Sequence, residues 1–507
     1  MYVTLHFDTE DNVYQPEEGV DEAPKWLAEI MTDVGLTGVF HVIGDKARAI
    51  RDRGRQDVAA AMARHDLGIH TDSNNHPLIP EMIQHDDWET GVAKVQEDYQ
   101  KAGEVIAEVF GKEPVALSRH TNYTAPHVYA AAGKMGLPYF YGEIWPPAYD
   151  GPSWYAGGLS FPSDMGYRAT AVNSQTYSAW GFDPACGNDE LFARQLGNLE
   201  AQLAPQIEQG QQHMTLFLGH PVRFMVRGWT TRGMYANGRN RARQEAGYAY
   251  EVKTAAEVET AQRNFRRLCQ YLRDREGVEV ITAAAAAGLY SQQRSHLRRE
   301  ELYLYAQEAV TAGKPVLQQC FSPAEILLGL AENLLAGESR GALPRQVARR
   351  EVLGPLTKPC IWPEAIKVSW RQFSAMLEEL RKEAASGYLP ADVHTADGGR
   401  VGIGSLLVAS AKVFVAQVNH DTLAEVGLQP APRYPDIADL MMDTMRNIEE
   451  GSFLDPAFDP GRLYLYGKLM TWSLKPAHVG LPAGGYDETG SYVPEKLVAR
   501  DVRPLTS

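Results

Sequence analysis

Four short stretches of this chain hold side chains suited to metal-assisted hydrolysis. Residues 5–11 (LHFDTED) set Asp8 and Glu10 just after an apolar run, two apart and therefore on one side of an extended chain. Such a pair can supply a general base and a ligating carboxylate; acids that cap the next helix from a solvated strand end are the plainer use. Residues 68–77 (GIHTDSNNHP) place His70 and His76 six apart. Imidazole is the commonest neutral ligand for zinc and similar ions, and two of them with one carboxylate leave positions for water and substrate. Residues 117–123 (LSRHTNY) carry Arg119, and residues 215–221 (TLFLGHP) end an apolar run at His220, a side chain able to protonate a leaving amine.

These groups need strands to hold them. Residues 1–8, 36–43, 66–70, 136–141, 214–220 and 278–282 read as short apolar strands. Helical patterns lie between several of them, at 24–34, 46–64, 88–110, 126–135, 190–209 and 255–275. This alternation predicts an α/β fold, a parallel sheet wrapped by helices, either barrel or open. In both, the loops after the strands gather at one end and carry the site. Asp8, His70 and His220 all fall at such strand ends.

The order acid pair, His-Thr…His-Pro, arginine, Leu-x-His resembles the polysaccharide deacetylases (NodB-homology carbohydrate esterases) over about residues 1–290, closing with a helix and strand at 264–282. The resemblance implies a distorted (β/α) barrel and a metal-dependent amide hydrolase. It makes Asp8 the base that deprotonates water, Arg119 the residue that keeps that base ionised, and His220 the general acid. Glu10, His70 and His76 become the ligands of one divalent metal ion, zinc ahead of cobalt or nickel. Tyr123 is placed as a backbone donor to the oxyanion and Trp145 as a substrate contact. Two departures stand out. The family's His-(Ser/Thr)-x-x-His spaces its ligands four apart, so His70 and His76 need a two-residue insertion between them, or Asp72 as a substitute ligand. The prolines that usually follow the arginine are also missing.

An N-acetylated carbohydrate is the default substrate. Residues 142–167 gather aromatics and glycines, as for stacking on sugar rings or for packing a large loop. Six arginines (Arg223, Arg227, Arg232, Arg239, Arg241, Arg243) follow His220 and suit an anionic substrate or a solvated loop. Two rival functions remain: a C–N hydrolase of a small non-sugar amide or cyclic ureide, and a catalytically silent glycan-binding protein.

With 507 residues, more than one domain is expected. The alanines at 283–287 and the polar run 291–299 mark a boundary, giving a catalytic domain at 1–290, a mainly α-helical repeat domain at 295–480 and a tail at 481–507. A chain ended near 295 is thus expected to fold. Residues 341–347 (GALPRQV) and 387–393 (GYLPADV) share the frame G-x-L-P-x-x-V, each after an amphipathic helix, at 322–336 and 369–385; a looser copy spans 434–456. Repeats of this length predict stacked helical units. They also resemble pseudomurein-binding repeats, which implies a glycan-binding module, while a packing domain or a homo-oligomer surface explains the same helices. The net charge of −15 argues against nucleic acid or an anionic membrane as partner. Four cysteines without a CxxC pair suggest neither a thiolate zinc site nor a disulfide framework. The opening residues lack the pattern of a signal peptide and no window is a membrane span, so a cytoplasmic enzyme is expected.

Overall fold

A computed structural model describes residues 1–11, 13–120, 125–137, 139–142, 152–161, 182–210, 213–227, 239–240, 251–318, 320–361, 364–421, 423–435, 454–479, 485–486 and 492–493. Its centre is a ten-stranded sheet. The first strand, β1 (Tyr2–Thr9), alternates strictly. Val3, Leu5 and Phe7 face outward into a core with Leu27 and Met31 of α1 (Glu22–Val34), while Thr4, His6 and Asp8 face the inside of the curl. Parallel strands β2 (Val39–Ile43), β3 (Asp66–Thr71), β4 (Ala116–Ser118) and β5 (Tyr139–Tyr141) follow in spatial order. A hairpin, β6 (Ser153–Tyr155) and β7 (Gly158–Phe161), continues the sheet beyond β5.

On the other edge of β1 lies β8 (His213–Gly219), paired over Tyr2–Phe7. The short β9 (Val226–Arg227) and β10 (Glu251–Val252) make a separate ribbon. Strand β11 (Glu279–Val280) pairs with β1 at Tyr2 and Val3, where β8 already holds the opposite edge. It must therefore share the β2 edge, below the point at which β2 begins pairing at His6. The result is a curled, mixed half-barrel with helices on its outside, the α/β architecture expected of a distorted (β/α) barrel.

Most predicted elements sit within a few residues of their place, and the departures have local causes. The expected helix 46–64 is two, α2 (Gly44–Asp52) and α3 (Gln56–Met62), because Gly54 takes a left-handed turn at φ 65° that a helix interior does not hold. The long α5 (Trp88–Phe110), which follows the one-turn α4 (Ile79–Ile83), spans its predicted range. Its first turn is capped by the Asp87 carboxylate, which accepts from the Thr90 N–H, and its end by left-handed Gly111.

The second half forms its own core from α11 (Arg299–Ala312), α12 (Pro323–Arg340), α13 (Trp370–Glu383) and α14 (Ile403–Val418), numbered after α6 (Pro126–Lys134), α7 (Asp189–Glu208), α8 (Pro221–Met225), α9 (Ala255–Asp274) and α10 (Ala283–Tyr290). Short two-stranded ribbons accompany these helices, which make up most of the regular secondary structure described in the second half. Each G-x-L-P-x-x-V frame has the same local form: a left-handed glycine (Gly341 or Gly387) after the helical segment, then a strand at the valine (Val347 or Val393). Most of the looser copy at 434–456 lies outside the described residues.

The expected division near 295 needs amendment. Residues 461–476 leave the second half and return to the first. Leu463, Tyr466, Leu469, Met470 and Leu474 belong to the barrel's core, and β12 (Lys475–Pro476) pairs with β6. Helix α15 (Gly461–Met470) also receives a hydrogen bond from Tyr155 to the Gly467 carbonyl (2.9 Å). An N-terminal fragment therefore lacks part of the core that the sequence assigned to it. No described helix is long and apolar enough to cross a membrane.

His127 marks this junction. Fully buried between Trp88 (4.7 Å between ring centroids) and Tyr466 (5.0 Å), it has no hydrogen-bond partner on either ring nitrogen. Burial pushes its pKa down to about 4, against about 6.5 for an unhindered imidazole. The unfolded chain then takes up a proton that the folded chain refuses, so stability is complete above about pH 6.5 and falls as the pH drops towards 4. The expected loss from this group between pH 7 and pH 5 is about 2 kcal/mol. Between pH 7 and pH 5, urea unfolding should show the native protein losing about 2 kcal/mol more than His127→Gln; equal changes in the two would exclude the effect.

Candidate active site

The groups singled out by the sequence converge only in part. Asp8 ends the inward row of β1, and Glu10 follows one residue after the strand. His70 comes from β3 and His220 directly follows β8. The fifth member, not identified from the sequence, is His120, two residues past β4. His70 and His120 each turn Nε2 towards Oε2 of Glu10, at 3.3 and 3.2 Å, and His220 Nε2 stands 3.5 Å from the other oxygen. Asp8 Oδ1 lies 3.9 Å from His70 Nδ1 and has no hydrogen-bond partner.

His76 does not join this cluster. Its Nδ1–H donates to Glu81 Oε2 at 2.6 Å, and its side chain is buried in that pair. Asp72, the other candidate substitute, is held by Arg48 at 2.8 Å. The position four after His70, where the family spacing puts its second histidine, is Asn74, buried and with an unpartnered Oδ1. The structure thus brings Glu10 and His70 together with His120 and leaves His76 apart from them. The signal was present in the sequence: His120 follows a short strand, the same rule that drew attention to Asp8, His70 and His220.

The electrostatics follow from burial and mutual contact. Burial works to raise the Glu10 pKa, yet hydrogen bonds from His120 and His70 and the charges around it hold the carboxylate well below its usual range. Burial raises Asp8, opposed by His70, His220 and Arg119. For His70, burial favours the neutral ring, but the charges of Asp8 and Glu10 outweigh it and raise its pKa. Ser118 Oγ contacts the remaining nitrogen of His70, Nδ1, at 2.5 Å and fixes the ring. The charge of Arg119 is the smallest of those opposing burial at Asp8, and the Arg119 backbone N–H reaches the Tyr141 carbonyl at 3.4 Å.

His220 is steadied by a second residue that sequence reasoning missed. Buried Asp183 accepts from the His220 backbone N–H (3.1 Å), and its Oδ2 lies 3.6 Å from the ring Nδ1 and 3.5 Å from Arg223. It fits because Gly219 has no side chain: a Cβ there would sit 2.4 Å from the Asp183 carboxyl carbon. Tyr123, Trp145 and Arg232, Arg241 and Arg243 lie outside the described residues.

The donor set suits a divalent cation. All three candidate ligand atoms of Glu10, His70 and His120 lie within 4.8 Å of one another. Two donors about 2.0–2.1 Å from a tetrahedral ion stand roughly 3.3 Å apart, and the separations of 3.2 and 3.3 Å agree.

Beneath the site the barrel is filled by polar rings. His6 and His41 share a hydrogen bond (2.8 Å), and Tyr139 links His6 (3.1 Å) to Thr4 (2.9 Å). Burial, with neighbouring histidines, holds both imidazoles well below their ordinary pKa, so this floor is neutral. His41 is the in-register neighbour of Asp8 on one side and Gly68 on the other.

No protein-family model matches this chain, and no curated protein matches it. Among solved structures, polysaccharide deacetylases match a segment of 57% of the chain. One assigned to that class from Mycobacterium smegmatis is 12% identical, with 88% of its own length covered and a TM-score of 0.35. An allantoinase is 14% identical over 57% of this chain and 89% of its own, with a TM-score of 0.34. A peptidoglycan deacetylase from Bacillus subtilis is 9% identical over 57% and 91%, with a TM-score of 0.26. Likeness at this level transfers neither substrate nor activity.

The floor yields a test. A methyl group on Gly68 would lie 2.3 Å from His41 Nδ1 and 2.8 Å from Cε1, against a ring already bonded to His6. Gly68→Ala should lower stability by about 1–3 kcal/mol, read as a fall in the urea midpoint. An unchanged midpoint would mean that the ring moves freely.

Proposed function

We propose that this protein is a metal-dependent hydrolase that removes an acetyl group from an N-acetylated carbohydrate, with Glu10, His70 and His120 holding one divalent ion. The observation that carries this reading is the convergence of the three donor atoms beside an unpartnered Asp8 oxygen and the His220 ring. An ion bound there would acidify a water molecule and polarise the amide carbonyl. Zinc suits two imidazoles and one carboxylate best, with cobalt and nickel as alternatives.

The chain's own residues supply the proton transfers. Asp8 Oδ1 accepts the proton of the attacking water; burial raises its pKa, and the charges of His70, His220 and Arg119 oppose that rise. His220 delivers a proton to the departing nitrogen, giving a free amine and acetate. Asp183 and Arg223 orient that imidazole from behind. A silent glycan-binding protein needs none of these groups together, which favours the enzyme.

Two variants separate the ligand sets. After dialysis with zinc, the unmodified protein and His76→Ala should each retain about one equivalent by elemental analysis, and His120→Ala should retain none. Loss in His76→Ala with retention in His120→Ala would restore the ligand set expected from the sequence. Absence of metal from the unmodified protein would favour the binding-protein alternative. Asp8→Asn should keep its metal while acetate release falls by about a hundred- to ten-thousand-fold; undiminished release would remove Asp8 as the base.

A further inference from the structure

His70, His120 and His220 all present Nε2 to the Glu10 carboxylate. The far nitrogens of two of these rings keep different company. Behind His220 stands a carboxylate, with Asp183 Oδ2 3.6 Å from Nδ1. Behind His70 stands an uncharged hydroxyl, with Ser118 Oγ 2.5 Å from Nδ1. The sheet sets this second pair. Ile69 of β3 is in register with Leu117 of β4, so the next residues along, His70 and Ser118, come side by side, and both are buried.

Another acceptor lies near the same nitrogen. Asp8 Oδ1 stands 3.9 Å from His70 Nδ1 and has no hydrogen-bond partner. An ion held at Nε2 uses the lone pair there, which leaves the proton of the ring on Nδ1. At 2.5 Å the Ser118 oxygen is placed to accept that N–H, whereas 3.9 Å is beyond hydrogen-bond reach. A hydroxyl oxygen has lone pairs to accept with and no charge. The ring is therefore held in place without a second carboxylate bound to it.

We propose that Ser118 is a positioning residue that draws the Nδ1–H of His70 away from Asp8, keeping the base separate from the ligand. The inference rests on the hydrolase reading above. Two carboxylates flank the His70 ring and have different tasks: Glu10 faces Nε2, while Asp8 has to stay free to receive a proton from water. Without the Ser118 hydroxyl, Asp8 Oδ1 is the acceptor left beside Nδ1 among the described residues. A bond formed there would turn the ligand and occupy the base at once.

The test uses the full-length protein, Ser118→Ala, Asp8→Asn and the double variant. Zinc affinity, measured by competition with a chromophoric chelator, should fall about ten- to a hundredfold in Ser118→Ala. At saturating zinc, with N-acetylglucosamine oligomers as substrate, Ser118→Ala should lower kcat about tenfold at unchanged KM. In the Asp8→Asn background the same change should leave the residual rate as it is, since no base remains to be captured. A general disturbance of the site would lower both rates alike. Equal zinc affinity in the native protein and Ser118→Ala, or the same fall in kcat in both backgrounds, would overturn the proposal. No acetate release by the zinc-loaded native protein would count against the carbohydrate reading; zinc affinity then decides the role of Ser118, and an unchanged value overturns it.

Discussion

A carboxylate taken out of water costs several kcal/mol unless opposite charge or hydrogen bonds answer it. Glu10 is such a group, 5% exposed at the centre of the barrel mouth. Its two oxygens face three imidazoles from three different strand ends, those of β3, β4 and β8. The requirement runs both ways. Glu10 needs those rings to stay ionised, and the rings stay close together because a negative charge lies between them. Removing any one strand from the sheet would leave the buried charge short of a partner, so sheet order and site depend on each other.

The barrel floor meets a related constraint with neutral groups. A polar ring in a dry interior must find a partner or lose free energy. His6, His41, Tyr139 and Thr4 satisfy one another in a chain of hydrogen bonds, and Gly68 gives up its side chain to make room. The charged groups above therefore rest on a floor without net charge, which leaves their balance to Asp8, Glu10, Arg119 and the site histidines.

The alternation of strand and helix was legible in the first half because outward Val3, Leu5 and Phe7 and the spacing of α5 follow simple periods. Asp8, Glu10, His70, Arg119 and His220 were legible because strand ends place side chains at one mouth. His120 was passed over in favour of His76, since spacing along one loop was weighted above position at a strand end. Sequence distance does not report that Glu81, five residues on, would capture His76. Asp183 was illegible for a similar reason: its meaning comes from Gly219, thirty-six residues later, whose backbone makes space for it. The β6–β7 hairpin and its partner β12 are joined across more than three hundred residues, a pairing no local pattern encodes.

That last pairing changes how the second half should be regarded. A domain boundary read from composition marks where the pattern changes, not where packing stops. The chain leaves the barrel after α10, builds a core of its own, and then returns Leu463, Leu469 and Met470 to the first core. The return also brings Asp455 to Glu81, the residue that holds His76. Through this carboxylate the C-terminal segment reaches the loop that follows β3 and carries His76. The second half is thereby hydrogen-bonded to the loop that follows the strand of His70.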